Sequence, residues 1–378
     1  MKILFVSMSS IHVLRWIENL KNTDHELYWF DVLGRGSLDT EIDVKQFISW
    51  KKRKLPQIKG EFFLYKKMPK VYNFLLPYIE KTANEVLEEI VKEIKPDIIH
   101  SFEMQSCTYP IIKAMNKYSK IPWIYSCWGN DLFYYQKYSS HVNQIKKALR
   151  RIDFIHTDCQ RDYFLAKTLG FNGKNLGVIP GGTGYNIKEL KDFRIPIEKR
   201  KIILVKGYQN IFGRGLNVVK ALEKIQEQLK DFEVVVFGSH KPVIDYIAEK
   251  KLPFKIYHRH DLKHDELLHL MGKSLIYIGN NISDGMANTL LEAIVMGAFP
   301  IQSDPGGVSA EIIEHNKNGF LIENPEDIEL IKNVALNAVN NFKLLKTAQE
   351  LNFKIASSRL DYDFNKKKVL QLYKEIFQ

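Results

Sequence analysis

Two carboxylates are the first residues in this 378-residue chain whose placement suggests chemistry. Asp284 and Glu292 are separated by seven residues in SDGMANTLLEAIVMG, between the apolar runs 275–278 and 299–302. The pattern reads as a strand, a loop, a helix and a second strand. Ser283, Asp284 and Gly285 suit the start of a helix. The helix is predicted over 286–296 and stops at Gly297, because glycine accepts the left-handed conformation that ends helices. A helix N-terminus at the carboxyl end of a parallel strand presents N–H groups and a positive dipole end, a site suited to a phosphate. One carboxylate stands at the helix mouth and one on its flank, and both can accept hydroxyl hydrogen bonds.

SDGMANTLLEAIVMG, followed by PIQSDPGGVSAEII and NGFLI, resembles the donor-binding signature of glycosyltransferase family four, the retaining GT-B sugar transferases of glycosyl transferases group 1. The family pairs two glutamates at this spacing; here Asp284 takes the first place, one methylene shorter. A capped helix with a merely solvated Glu292 is the plainer alternative. The resemblance implies an α/β, GT-B fold of two doubly wound Rossmann-like domains facing across a cleft. Residues 1–182 would form the acceptor-side domain, 183–358 the nucleotide-sugar-binding domain, and 359–378 a helix crossing back to the first. It also implies transfer with retained configuration, no cofactor and no metal. Glu292 would bind the ribose hydroxyls and Asp284 the transferred sugar. Ser283, Gly285, Met286, Ala287, Asn288 and Thr289 would line the donor.

The departing diphosphate needs positive charge and N–H dipoles where negative charge develops. The family has arginine after the glycine of KIILVKG and lysine six positions later; here those places hold Tyr208, after Gly207, and Arg214. Lys206 and Tyr208 are two apart on a strand end and so point to the same side. Lys206 is therefore expected to replace the missing cation, with Arg214 making a forked phosphate contact. His258 and Arg259 fall in the loop that lies against the nucleotide base in the family.

On the acceptor side, the first strand runs into Ser7, Ser9 and Ser10 where the family turn is glycine-rich, and His12 and Arg15 follow on a helix. The segment WGND matches the family's His-Gly-x-Asp at Gly129 and Asp131, while Trp128 replaces the histidine. The aromatic stretch after it, with Tyr134, Tyr135 and His141, could stack on sugar rings.

Positioning these groups requires two domains of ordinary size, which the length allows. Strands and helices alternate throughout, the pattern of doubly wound sheets. VIPGGTGYN carries glycines suited to the crossing between domains. Hydrophobic content of 45% and charged content of 26% belong to a folded, soluble class. Cys107, Cys127 and Cys159 lack metal spacing and suit a reducing compartment. The N-terminal apolar run is too short for a signal peptide, and no run approaches the ~20 residues of a membrane span. A cytoplasmic location follows as an expectation.

The net charge of +11 points to phosphate-rich partners. Between 51 and 70, eight basic residues face one acidic residue, Glu61, with Phe62, Phe63, Leu64 and Tyr65 among them. That composition fits peripheral docking on an anionic membrane, a polyanion, or a solvated loop. The expected partners are a nucleotide-sugar donor and a glycan or lipid-linked acceptor, in cell-surface polysaccharide or glycolipid assembly. Two other classes compete. A nucleotide-sugar epimerase would need dedicated acid and base carboxylates. A non-enzymatic binder of anionic membrane or nucleic acid would have no use for Asp284 and Glu292, which repel polyanions.

Overall fold

The computed structural model describes residues 1–377, which form two compact units. The first comprises 1–157 and 163–177 together with 375–377; the second comprises 158–162 and 178–374. The division thus falls between Gly177 and Val178, five residues before the sequence-based boundary, and the helix Tyr362–Lys374 counts with the second unit. Past it, the Glu375 carbonyl accepts a 3.3 Å bond from Lys174 Nζ within the first unit.

The first unit is built on a seven-stranded sheet. Its strands are β1 Lys2–Ser7, β2 Glu26–Asp31, β3 Lys45–Phe47, β4 Ile98–Phe102, β5 Trp123–Ser126, β6 Phe154–Thr157 and β7 Lys174–Val178, in the order β3-β2-β1-β4-β5-β6-β7. β1 pairs in parallel with both β2 and β4. The apolar run Ile3–Val6 is wholly buried, as expected of a central parallel strand covered on both faces. The chain leaves β1 toward β2 and returns on the other side at β4. The carboxyl ends of β1 and β4 therefore form a switch point, where open α/β sheets keep their ligand crevice.

The second unit repeats the plan with six strands: β8 Ile202–Lys206, β9 Glu233–Ser239, β10 Lys255–His258, β11 Ser274–Gly279, β12 Phe299–Ser303 and β13 Phe320–Ile322. Their order is β10-β9-β8-β11-β12-β13, with the switch point between β8 and β11. Along β8, Ile203 and Val205 enter one apolar cluster and Leu204 the other, so side-chain alternation feeds a core on each face. The helix after β11 spans Asn288–Met296 and starts two residues later than expected. Ser283, Asp284 and Gly285 shape the loop before it instead of capping it. Gly297 ends it at φ 77°, and a Cβ there would lie 2.7 Å from the Phe353 ring. Among the described residues, no helix is long and apolar enough to cross a membrane.

Candidate active site

The loops after β8 and β11 meet at the switch point of the second unit. Gly207 follows β8, and a Cβ on it would stand 2.7 Å from Ser239 Oγ, so no side chain fits. The next residue, Tyr208, organises the site in place of an arginine. Lys206 Nζ lies over its ring at 4.7 Å from the centroid, and the Arg259 guanidinium lies at 5.9 Å. His240 stacks on the ring at 5.2 Å and 18°. One aromatic platform thus gathers two cations at the end of a parallel strand.

Arg214 is placed differently from the expectation. Its Nε donates to Glu326 Oε1 at 2.5 Å, and Nη1 donates to the Asn210 and Gly213 carbonyls at 3.1 and 3.0 Å. The Nε edge of the guanidinium is thus taken by a carboxylate 112 residues away in sequence, a separation that local spacing cannot reveal. The same contact, foremost, holds the Glu326 carboxyl below its usual range.

Asp284 is half-buried in the loop after β11. Its carboxylate accepts from Asn281 Nδ2 at 2.9 Å and from the Gly285 N–H at 3.0 Å. Burial pushes its pKa up, opposed first by the charge of Lys206 and then by the Gly285 N–H and Arg161. Arg161 fixes the loop from the 158–162 segment: Nη2 donates to the Asp284 carbonyl at 2.8 Å and Nη1 to the Pro305 carbonyl at 2.6 Å. Asp284, Lys206 and the loop amides therefore share one neighbourhood.

Among the described residues no side chain caps the Asn288–Met296 helix, whose N-cap is Ala287. Ser283, Gly285, Met286 and Ala287 are buried in the loop, and Thr289 Oγ1 accepts from the Tyr277 hydroxyl at 2.9 Å. Glu292 is only 3% exposed, and its Oε1 lies 2.8 Å from His264 Nε2. The carboxylate is thus seated against an imidazole rather than open on the helix flank. His264, which begins the helix His264–Lys273, is a site residue that sequence reading missed; a lone histidine within KHD gave no pattern.

Beyond Tyr208 lies an open groove of about 980 Å³, lined by Gln209, Ser239, His240, His258, Arg259 and Asp261 among others. The His258 N–H donates to Asp261 Oδ2 at 2.6 Å, and His240 Nδ1 sits 3.0 Å from the Gln209 carbonyl. His240 Nε2 is buried without a hydrogen-bond partner among the described residues.

In the first unit, Ser10 caps the helix Ile11–Glu18 by accepting from the Val13 N–H at 3.4 Å, and Ser9 Oγ reaches the Ser37 carbonyl at 3.4 Å. Arg15 lies on that helix half-buried, its carbonyl accepting from Asn19 Nδ2 at 2.7 Å. The His12 ring packs on Trp128 with centroids 5.4 Å apart. The position that lacks histidine therefore has an imidazole beside it. Asp131 points into its own turn. It is 2% exposed, and its Oδ2 accepts from the Met104 and Trp128 N–H groups at 3.0 and 3.1 Å and from the Tyr125 hydroxyl at 2.8 Å. It braces the turn. Glu103, unnoticed in the sequence, follows β4 with φ 64° and accepts from the Gln105 and Ser106 N–H groups at 3.0 and 2.6 Å. Burial pushes its pKa up.

The family model described as Glycosyl transferases group 1 matches residues 188–352, and the model described as Glycosyl transferase 4-like matches residues 2–159. The chain is a group 1 glycosyltransferase. Similar solved structures include a glycosyltransferase from Rickettsia africae, 18% identical with a TM-score of 0.68, covering 100% of this chain and 98% of that one. HepE from Anabaena, solved in complex with UDP-glucose, is 14% identical with a TM-score of 0.68 over 99% of this chain and 100% of its own. Sucrose-phosphate synthase from Thermosynechococcus elongatus is 14% identical with a TM-score of 0.71 over 100% and 99%. At such identities the likeness shows the GT-B fold. No curated protein matches the chain.

Among the described residues of this glycosyltransferase one cluster has metal-ligand character: Asp158, Cys159 and Asp162 bring donor atoms within 4.8 Å of one another. Arg161 sits on Asp162 at 2.8 Å and already supplies the balancing positive charge. Burial, foremost, pushes the Asp158 carboxyl up to about 8 and raises the Cys159 thiol, so neither is poised as an anionic ligand. Arg161, held by Asp162, is the residue that braces the loop carrying Asp284.

Proposed function

We propose that this glycosyltransferase moves a sugar from a nucleotide-diphosphate-sugar to a glycan or lipid-linked acceptor with retained anomeric configuration, in cell-surface polysaccharide or glycolipid assembly at the inner face of the cell membrane. One observation carries the reading: Lys206 and Arg259 converge on Tyr208 at the end of β8, beside the Asp284 loop and the start of the Asn288–Met296 helix. Negative charge that develops on a leaving diphosphate is stabilised there by Lys206 and by helix-start amides. Arg214 joins once the phosphate displaces Glu326. Asp284 accepts from a hydroxyl of the transferred sugar, and Glu292 exchanges His264 for the ribose hydroxyls. The groove bearing His258 and Arg259 receives the base. On the acceptor side, His12 on Trp128 supplies the imidazole that position 128 lacks. No metal is assigned, because the side chains themselves provide the cations.

A thermal-shift screen against UDP, GDP, ADP and CMP tests this, since a ligand at about 100 times its Kd stabilises the fold by about 2.7 kcal/mol. UDP comes first, because HepE, of the same fold, was solved with it. Glu292→Ala should then weaken the nucleotide that shifts the melt by roughly 1.5–3 kcal/mol, the worth of hydrogen bonds to a charged group. A protein whose melting responds to none of the four would sink the reading.

A further inference from the structure

We propose that the two short helices Glu61–Lys67 and Pro69–Ile79 are the face by which this enzyme lies on an anionic bilayer. The inference rests on the proposed function only for what waits there, a lipid-linked acceptor. Arg53 forks onto Glu61 with two bonds of 2.8 Å, and the Tyr72 hydroxyl adds a third contact at 3.3 Å. The Tyr65 and Tyr72 rings meet edge to face at 5.4 Å and hold the helices together. Glu61 is the sole acidic residue of 51–79, and this clamp turns it inward. What faces out is apolar and basic. Phe62 is 67% exposed and Phe74 73%, with Phe63, Tyr78, Ile58 and Val71 also largely uncovered. Lys59, Lys66, Lys67 and Lys70 are exposed among them, and Lys66 Nζ stands over the Phe62 ring at 4.7 Å.

Monomeric proteins seldom leave so many large apolar side chains together in water. Charge decides what covers them. A second copy would set like charges face to face in a two-fold interface. A polyanion would satisfy the lysines, and its bases could stack on the phenylalanines, but it offers nothing to Ile58 and Val71. An anionic bilayer matches both: phosphates for the lysines, and the headgroup–acyl boundary for an amphipathic helix lying in its plane. Two of the basic residues of this segment are already paired. Arg53 is held by Glu61 and Lys54 by Glu85 at 2.7 Å, so the outward charge rests on Lys59, Lys66, Lys67 and Lys70, with Lys51 and Lys52 exposed beside them.

Co-sedimentation of the full chain with phosphatidylcholine vesicles, with and without phosphatidylglycerol, tests the proposal. Wild type should bind only the anionic vesicles at low salt. Changing the four lysines to glutamate should weaken that binding by at least about tenfold. Changing Phe62, Phe63 and Phe74 to serine should leave only the binding that salt removes, since charge attraction is screened beyond about 10 Å at ordinary ionic strength while apolar insertion is not. Phe63→Trp, a mild change at an exposed site, should show blue-shifted emission with anionic vesicles. An unshifted emission, or wild-type indifference to phosphatidylglycerol, overturns the proposal. So does a wild-type dimer that the serine variant dissolves, or a single-stranded RNA homopolymer that displaces the vesicles. Vesicle binding is read without donor or turnover. A negative result therefore leaves the transferase reading standing, and an inactive enzyme that still binds vesicles contradicts only that reading.

Discussion

Tyr208 lacks the charge of an arginine but gives neighbouring charges a surface to rest on. Its ring holds Lys206 and Arg259 by contacts worth about 0.5–1 kcal/mol each. Tyr208→Phe keeps the ring and should leave kcat within about twofold, while Tyr208→Ala should lower it severalfold. Lys206→Ala removes the charge itself. A charge-assisted hydrogen bond is worth about 1.5–3 kcal/mol, so kcat should fall roughly 10- to 100-fold. Steady-state kinetics on the three variants ranks them, and a silent Lys206→Ala would refute the role of this cation. Asp158 makes a different kind of prediction. Burial, then the Asp162 charge, raise its carboxyl to about 8, well above an unfolded aspartate. The folded state therefore holds this proton more tightly than the unfolded chain does. The stability it contributes is complete below pH ~4 and is lost as pH rises toward about 8. Asp158→Asn cannot ionise, so its melting temperature should exceed wild type most at pH 8 and least near pH 5. Because the carboxyl stays protonated in the fold up to about pH 8, the gain at the alkaline end should reach a few kcal/mol, or several degrees in melting temperature. A pH series of calorimetric melts checks both sign and size.

At the scale of elements, the Asn288–Met296 helix was legible from its glycine stop and its apolar face, but its start was not. Ser283 and Asp284 have N-cap chemistry, yet Asp284 bonds to Asn281 and its own loop, and the helix begins four residues beyond it. Local propensity names residues able to cap; it does not say whether a loop uses them first. The C-terminus carries the sharper test. Gly297→Ala needs a left-handed alanine and a Cβ 2.7 Å from the Phe353 ring. It should cost at least about 1 kcal/mol from backbone strain alone, visible as a lower urea midpoint at unchanged slope. Donor affinity measured well below that midpoint should hardly change, because the loop amides lie at the other end of the helix.

For the molecule as a whole, strand–helix alternation made both doubly wound sheets legible, and the two switch points follow from their strand orders. The pairings that tune the site were not. Arg214 meets Glu326, Glu292 meets His264, and Arg53 meets Glu61; in each, a residue was legible and its partner was not. Such partners are set by how separate elements pack, which neither periodicity nor spacing encodes. The burial of Asp131 was likewise not legible, because a motif match says nothing about burial. The pairing pattern also bears on chemistry. With Lys206, Arg259 and Arg214 supplying positive charge, turnover should survive exhaustive dialysis against EDTA, assayed with the nucleotide-sugar found in the melt screen. Loss of activity restored by a divalent ion would overturn that expectation.

The contact between Arg214 and Glu326 has a bearing on how the enzyme treats the anions of its surroundings. A guanidinium already satisfied by an internal counter-ion is a poor host for a passing orthophosphate or sulfate. Only an anion that gains elsewhere at the same time, as a diphosphate tethered to a base and a sugar does, outcompetes the resident carboxylate. Glu326 would thus act as a threshold against small ions. Glu326→Gln, which keeps the shape and lowers that threshold, should make inorganic phosphate a severalfold stronger inhibitor in competition assays, while unchanged inhibition would show that Glu326 only steadies the loop.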